Sequence, residues 1–251
     1  MTTPAAVYRA TRKKHDLLWN AYVMRPLAAV VVAALEHTPV TPNQLTLLNF
    51  GIFLGAVAIF VAAPTHAGGL AAVAVLELSY LFDCADGMLA RLRKTASPTG
   101  HLFDFFTDEA KATLLAAAMG VRLFRTGGLG VDLREWPAGD ARFLLACVVE
   151  VVVVASAISL TNFVRRPELT GKETPTEAHY EANAPAARPS LVARALRAPM
   201  TLLQWLNHYP SHLWAFVALG RLDAYFWLYL ALNSLYLGRG WLGLVLRFGR
   251  S

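Results

Sequence analysis

The sequence predicts an all-α polytopic membrane protein, with six transmembrane helices after an N-terminal interfacial helix. Three observations carry that prediction. Charged residues make up only 16% of the chain and hydrophobic residues 56%, with a mean hydropathy of +0.43, where soluble domains carry about 25% charged residues. The apolar residues gather into runs long enough to cross a hydrocarbon layer of about 30 Å. Basic residues cluster at alternate ends of those runs, as they do on the cytoplasmic side of membrane proteins.

Residues 1–40 read as the interfacial segment. Its first sixteen residues are polar and basic, with Arg9, Arg12, Lys13 and Lys14. The apolar run 26–35 is too short to span, and no small-residue cleavage site marks a signal peptide. Trp19, Tyr22, Val23 and Leu27 recur at helical spacing, as in a helix lying in the membrane surface with Arg25 available to lipid phosphates.

Residues 41–251 read as the transmembrane part of a single membrane domain. The spanning segments are 45–63, 69–92, 101–124, 141–164, 206–219 and 224–246, the last two divided by a break at Gly220, Arg221, Leu222 and Asp223. With the N-terminus inside, the cytoplasmic side receives Arg91, Arg93, Lys94, Arg165, Arg166, Lys172 and Arg239, among others. The opposite side receives only Arg122, Arg125, Arg134, Arg142 and Arg221. Both termini are therefore expected in the cytoplasm, at an inner membrane. The net charge of +6 fits basic flanks that attract anionic headgroups, and nucleic-acid binding is not needed to explain it. Segment 167–189, with four prolines, reads as a cytoplasmic loop beside the site. Cys84 and Cys147 both lie in apolar segments, so neither a disulfide nor a zinc site is expected.

Asp83, Asp86, Gly87, Ala90, Arg91, Gly100, Asp104 and Asp108 follow the order D-x2-D-G-x2-A-R-x8-G-x3-D-x3-D. Asp83 and Asp86 are three apart, Asp104 and Asp108 four apart, so each pair projects from one face of a helix. Two such pairs form an all-oxygen cage whose negative charge cannot persist at membrane depth without cations. Mg²⁺ or Mn²⁺ fits best, because these ions prefer carboxylate oxygens and keep positions open for phosphates. Gly87 and Ala90 let a diphosphate or a second helix approach the backbone, and the guanidinium of Arg91 can fork onto phosphate. Ser97 and Gly100 sit at the opening of the next helix, where Ser97 serves as a cap or as a phosphate donor.

These eight positions are identified as the signature of the CDP-alcohol phosphotransferase family, which the chain resembles without a departure. A chance match is on the order of 1 in 10⁸, at about 1 in 20 per position. The resemblance implies a metal-dependent enzyme that cleaves a CDP-linked alcohol, passes the substituted phosphate to a hydroxyl and releases CMP. It implies metal ligation by Asp83, Asp86 and Asp104, a general-base role with partial metal contact for Asp108, and nucleotide contact at Ser97. It also implies a homodimer. A second likeness is T-P-N-Q-L-T at 41–46, similar to the P-N-x-x-T run that opens the family's first transmembrane helix. There Asn43 and Thr46 would face the cytidine, with helix capping as the competing role.

The partners so implied are a CDP-linked donor, an alcohol acceptor and the bilayer. The leading expectation is CDP-diacylglycerol with a small polar alcohol, in phospholipid synthesis. The alternative is head-group transfer from a CDP-amino alcohol or CDP-inositol. Aspartate-rich prenyltransferases lack the G-x2-A-R element, and a cation transporter gives no account of Arg91.

Overall fold

Each helix of the N-terminal region begins where the chain supplies a cap or a fixed proline. In the computed structural model, which describes residues 2–13, 16–164, 166, 202 and 205–249, the helices are α1 (Pro4–Thr11), α2 (Arg25–Leu35), α3 (Pro42–Ala62), α4 (His66–Leu92), α5 (Pro98–Thr126), α6 (Ala141–Val164), α7 (Leu213–Ala218) and α8 (Leu222–Phe248). A two-residue antiparallel hairpin, β1 (Gly128–Leu129) and β2 (Glu135–Trp136), stands between α5 and α6. The chain is thus all-α in class. Among the described residues, α3, α4 and α6 are long and apolar enough to cross a membrane. The expected segment 206–219 contains a short 3₁₀ turn, Tyr209–Ser211, and the six-residue α7. Segment 167–189 lies outside the described residues.

Two compact units are distinguished, and each is described by itself. The first takes in Met1–Ala56 and Ala74–Asp108. Val7, Ala28, Ala29 and Val32 pack with Leu45, Ala85, Met88 and Leu89 into its core, the alanines of α2 allowing close helix approach. Arg25 departs from expectation. Rather than reaching lipid phosphates it is 6% exposed and ion-paired through Nε to Asp16. Asp16 also accepts from Asn20 Nδ2 at 3.2 Å, and Asn20 accepts from the Tyr80 hydroxyl at 2.8 Å. The pair spans a π-helical turn, Asn20–Met24, and Leu18, Tyr22, Leu27 and Val30 form the exposed apolar stripe. Trp19 packs against the core instead.

Within the first unit the start of α3 is fixed by a reciprocal cap. The Thr41 N–H donates to Gln44 Oε1 at 2.9 Å, and the Gln44 N–H donates to Thr41 Oγ1 at 3.3 Å, a capping box with Pro42 at the first helical position. The start of α5 is fixed in a related way, the Gly100 N–H donating to Ser97 Oγ at 3.1 Å. Arg93, just past the end of α4, donates to the carbonyls of Leu35, Glu36, Thr38 and Val40. It thereby closes the C-terminus of α2 and holds the loop that leads to Thr41.

The described residues of the second unit are 57–73, 109–164, 166, 202 and 205–249. Arg122 donates to the carbonyls of Phe60 and Ala63 at 2.8 Å and of Thr65 at 2.6 Å, satisfying groups that the end of α3 leaves without a helical partner. The hairpin is pinned to the start of α8 by the Leu129 N–H on Asp223 and by Trp227 Nε1 on the Leu129 carbonyl, each at 2.8 Å. The break anticipated before α8 is present, with Gly220 at φ +69°, a left-handed conformation that glycine adopts without a Cβ clash. A Cβ on Gly120 would lie 2.3 Å from Cys147 Cβ, so α5 and α6 touch there through a glycine, as membrane helices do.

Glu150 of α6 is fully buried. Neither of its carboxyl oxygens has a hydrogen-bond partner among the described residues. An unsatisfied buried polar group costs about 1–3 kcal/mol. Glu150→Met keeps the volume and removes both oxygens, and should raise the thermal midpoint of the detergent-solubilised protein by about 2–10 °C. A lowered midpoint would show that the carboxyl is bonded after all.

Candidate active site

Four elements of the first unit converge on a cavity of about 380 Å³. The capped start of α3 contributes Asn43 and Thr46, the last turns of α4 contribute Asp86, Gly87, Ala90 and Arg91, the intervening turn contributes Ser97, and α5 contributes Gly100 and Asp104. Every residue that the sequence assigned to nucleotide binding therefore lines one space. The lining is basic where Arg91 and Arg93 stand and acidic where Asp86 and Asp104 stand.

Glycine at position 100 leaves room where the starts of α3 and α5 come close. A Cβ there would come within 3.1 Å of Ser97 Oγ and 3.3 Å of Asn43 Oδ1, closing the gap between the starts of α3 and α5. At Gly87 a Cβ would meet the Arg91 guanidinium at 3.5 Å, so the guanidinium lies along the surface that the missing side chain leaves open.

Asp83, Asp104 and Asp108 form a group in which one carboxylate oxygen from each lies within 4.8 Å of the others. Asp83 and Asp104 are half-buried and Asp108 is exposed. Three hard oxygen donors at that separation suit a divalent ion of the magnesium type, which takes carboxylate oxygens and retains places for phosphate. Asp86 is not one of the three. It is 4% exposed, interacts electrostatically with Asp83 and Asp104, and accepts a hydrogen bond of 2.6 Å from Thr46 Oγ1. Asp104 belongs to both the acid group and the cavity lining, which joins the two.

The Thr46 hydroxyl has one proton and two acceptors within reach, the Pro42 carbonyl at 3.2 Å and Asp86 Oδ2 at 2.6 Å. The closer acceptor, Asp86, takes it. Asp83 Oδ1 in turn accepts from Asn49 Nδ2 at 2.8 Å, and Ser79 Oγ stands 2.6 Å from Asn49 Oδ1. Sequence reasoning passed over Asn49, Ser79 and Arg93. The available signal was Asn49 one helical turn after Thr46, the second buried polar residue on one face of an otherwise apolar helix.

Comparison with known proteins bears on this geometry directly. A sequence profile of the CDP-alcohol phosphatidyltransferases matches residues 39–217. The chain belongs to the CDP-alcohol phosphatidyltransferase family. Members of that family are phosphotransferases acting on CDP-linked alcohols and depend on divalent metal. The matched region contains the whole cavity and the three-acid group. The chain is also similar to a bifunctional IPC transferase and DIPP synthase of Rubrobacter xylanophilus, 34% identical over 98 residues, which is 38% of this chain and 22% of that relative. The chain thus matches about a fifth of the length of that relative.

Proposed function

We propose that this protein is a Mg²⁺- or Mn²⁺-dependent transferase of phospholipid synthesis that moves a phosphatidyl group from CDP-diacylglycerol to a small polar alcohol and releases CMP. The observation that carries the reading is the junction at Asp104, where a group of three carboxylates meets a cavity lined by Asn43, Arg91, Ser97 and Gly100. In this reading Asp83, Asp86 and Asp104 hold the metal, with Asp108 in partial contact. The bound ion would supply charge neutralisation to the diphosphate and to the departing CMP. Arg91 forks onto a phosphate, and the gap kept by Gly87, Ala90 and Gly100 admits the diphosphate to the backbone. Asn43, Thr46 and Ser97 border the cytidine. Asp108, the exposed acid of the group, takes the proton of the attacking hydroxyl.

The chain acts as one membrane domain, residues 1–40 interfacial and 41–251 spanning six times through α3 to α6, segment 206–219 and α8, as a homodimer in an inner membrane. The lengths of α5 and α8, 29 and 27 residues, support spanning, since about 20 residues cross the hydrocarbon. The basic residues at the end of α1 and the end of α4 support a cytoplasmic site. A second reading is head-group transfer from a CDP-amino alcohol or CDP-inositol, beside the similarity to a bifunctional IPC transferase and DIPP synthase.

Purified protein with Mg²⁺ and labelled CDP-diacylglycerol, CDP-ethanolamine, CDP-inositol or a prenyl diphosphate separates these readings, with inositol phosphate, glycerol phosphate and serine as acceptors. CMP release from CDP-diacylglycerol is the expected result. Release from a soluble CDP-alcohol alone would favour the second reading, and no CMP from any CDP donor would sink both.

A further inference from the structure

The second unit encloses a cavity of its own, of about 230 Å³, between the turn from α3 to α4 (Pro64, His66), the end of α5 (Arg122, Thr126) and the start of α8 (Leu222, Asp223). Arg122 is 5% exposed, and a buried charge near membrane depth is costly unless something pairs with it. Its guanidinium donates to three carbonyls, and no acid accepts from it among the described residues. The charge that acts on it is the like charge of Arg125. Asp223 also lines the cavity, yet its carboxylate already accepts from Arg221 Nε and from the N–H groups of Leu129 and Ala224. Arg122 is therefore the uncompensated charge of this cavity.

A guanidinium carries five N–H donors. Nη1 gives both of its own to the carbonyls of Phe60 and Ala63, and Nη2 gives one to the carbonyl of Thr65. One N–H on Nη2 and the N–H on Nε are left over. Nε makes no hydrogen bond and is not sealed off by its neighbours, so it opens to the cavity that Arg122 lines. Donors on two nitrogens of one planar group match two oxygens of one phosphate. We propose that this cavity is an anion site in which Arg122 holds a phosphate group, either the headgroup phosphate of a lipid or free phosphate. The site is separate from the transfer chemistry and does not rest on it.

A clamp on the end of α3 accounts for the three carbonyl bonds. It accounts neither for the two remaining donors nor for the cavity kept beside them. The space around the guanidinium is kept by a small residue, since a Cβ on Gly69 would come within 2.8 Å of Arg122 Nη2. Arg122 also falls near the end of the expected span 101–124, close to the depth at which the polar headgroups begin. A phosphate is thus within reach from the lipid as well as from water.

The test is native mass spectrometry of the full chain in an uncharged detergent, with CDP and Mg²⁺ in excess to occupy the cavity of the first unit. The probes are inorganic phosphate, dihexanoyl-phosphatidylglycerol and dihexanoylglycerol, which lacks the phosphate. A single phosphate-bearing adduct per chain is expected, and none with dihexanoylglycerol. Arg122→Gln should weaken the adduct by about tenfold or more, but it also removes the clamp. Thr126→Asp decides the matter if that variant does not fold. Thr126 is exposed, lines the cavity and lies one helical turn beyond Arg122, so the carboxylate introduced there faces the guanidinium and competes with phosphate while the three carbonyl bonds stay in place. A similar loss is expected. Binding of phosphatidylglycerol without inorganic phosphate would assign the site to a headgroup, and binding of both would assign it to phosphate from either source. No phosphate-bearing adduct in the unsubstituted protein, an undiminished one in Thr126→Asp, or equal binding of dihexanoylglycerol would overturn the proposal. Absence of CMP release from every CDP donor would sink the transfer reading and leave this site standing.

Discussion

Asp108→Asn should lower the rate of CMP release by about 10³-fold, with the loss persisting at saturating Mn²⁺. Asp108 is the exposed member of a group whose other two members, Asp83 and Asp104, are half-buried. An acceptor alcohol reaches an exposed carboxylate most readily, and a positioned base contributes about 10²- to 10⁴-fold. Asparagine preserves the shape and one oxygen that a metal could use, but cannot accept the proton. Asp83→Asn and Asp104→Asn remove charge from half-buried ligands instead, so their activity should recover in part as Mn²⁺ is raised. Labelled CMP release measured across a Mn²⁺ titration distinguishes the two behaviours. Recovery of Asp108→Asn at high Mn²⁺ would make that residue a ligand and leave the proton without an acceptor.

The motif acids and the cavity lining were legible in the sequence because their chemistry depends on spacing along single helices. Asp83 and Asp86, or Gly87 and Arg91, share a helix face whatever packs beside them. The helix break at Gly220 was legible for the same local reason. Contacts between residues far apart in the chain were not. Arg25 pairs with Asp16 across a π-helical turn, and the exposed stripe keeps the expected Tyr22 and Leu27 while Trp19 packs against the core. Asn49 meets Asp83 across 34 positions, and no periodicity reports a partner on another helix. The division of the four acids into a group of three and a separately held Asp86 also depends on side-chain directions. Arg93 was legible only as one of several basic residues at a helix end, where a topological charge and a structural one look alike.

Arg93→Ala is expected to have the largest effect on stability. Its guanidinium donates to four carbonyls, those of Leu35, Glu36, Thr38 and Val40, and so gathers the end of α2 and the loop that carries Thr41 onto the end of α4. Hydrogen bonds from a charged donor contribute about 1.5–3 kcal/mol each at most. Water replaces part of that when the loop is half-exposed, so a total near 3 kcal/mol is expected, or a fall of about 6–12 °C in the thermal midpoint. The second consequence is functional. The loop sets the position of the capping box at Thr41 and Gln44, and with it Asn43 on the cavity wall. Loosening it should raise the KM for the CDP donor about tenfold while changing kcat little, because the acids stand on α4 and α5. Arg93→Lys keeps the charge but not the planar fork that reaches several carbonyls at once, and should recover less than half of the lost stability. If the lysine variant melts with the unsubstituted protein, the charge alone suffices and the four-carbonyl clamp is not what holds the loop.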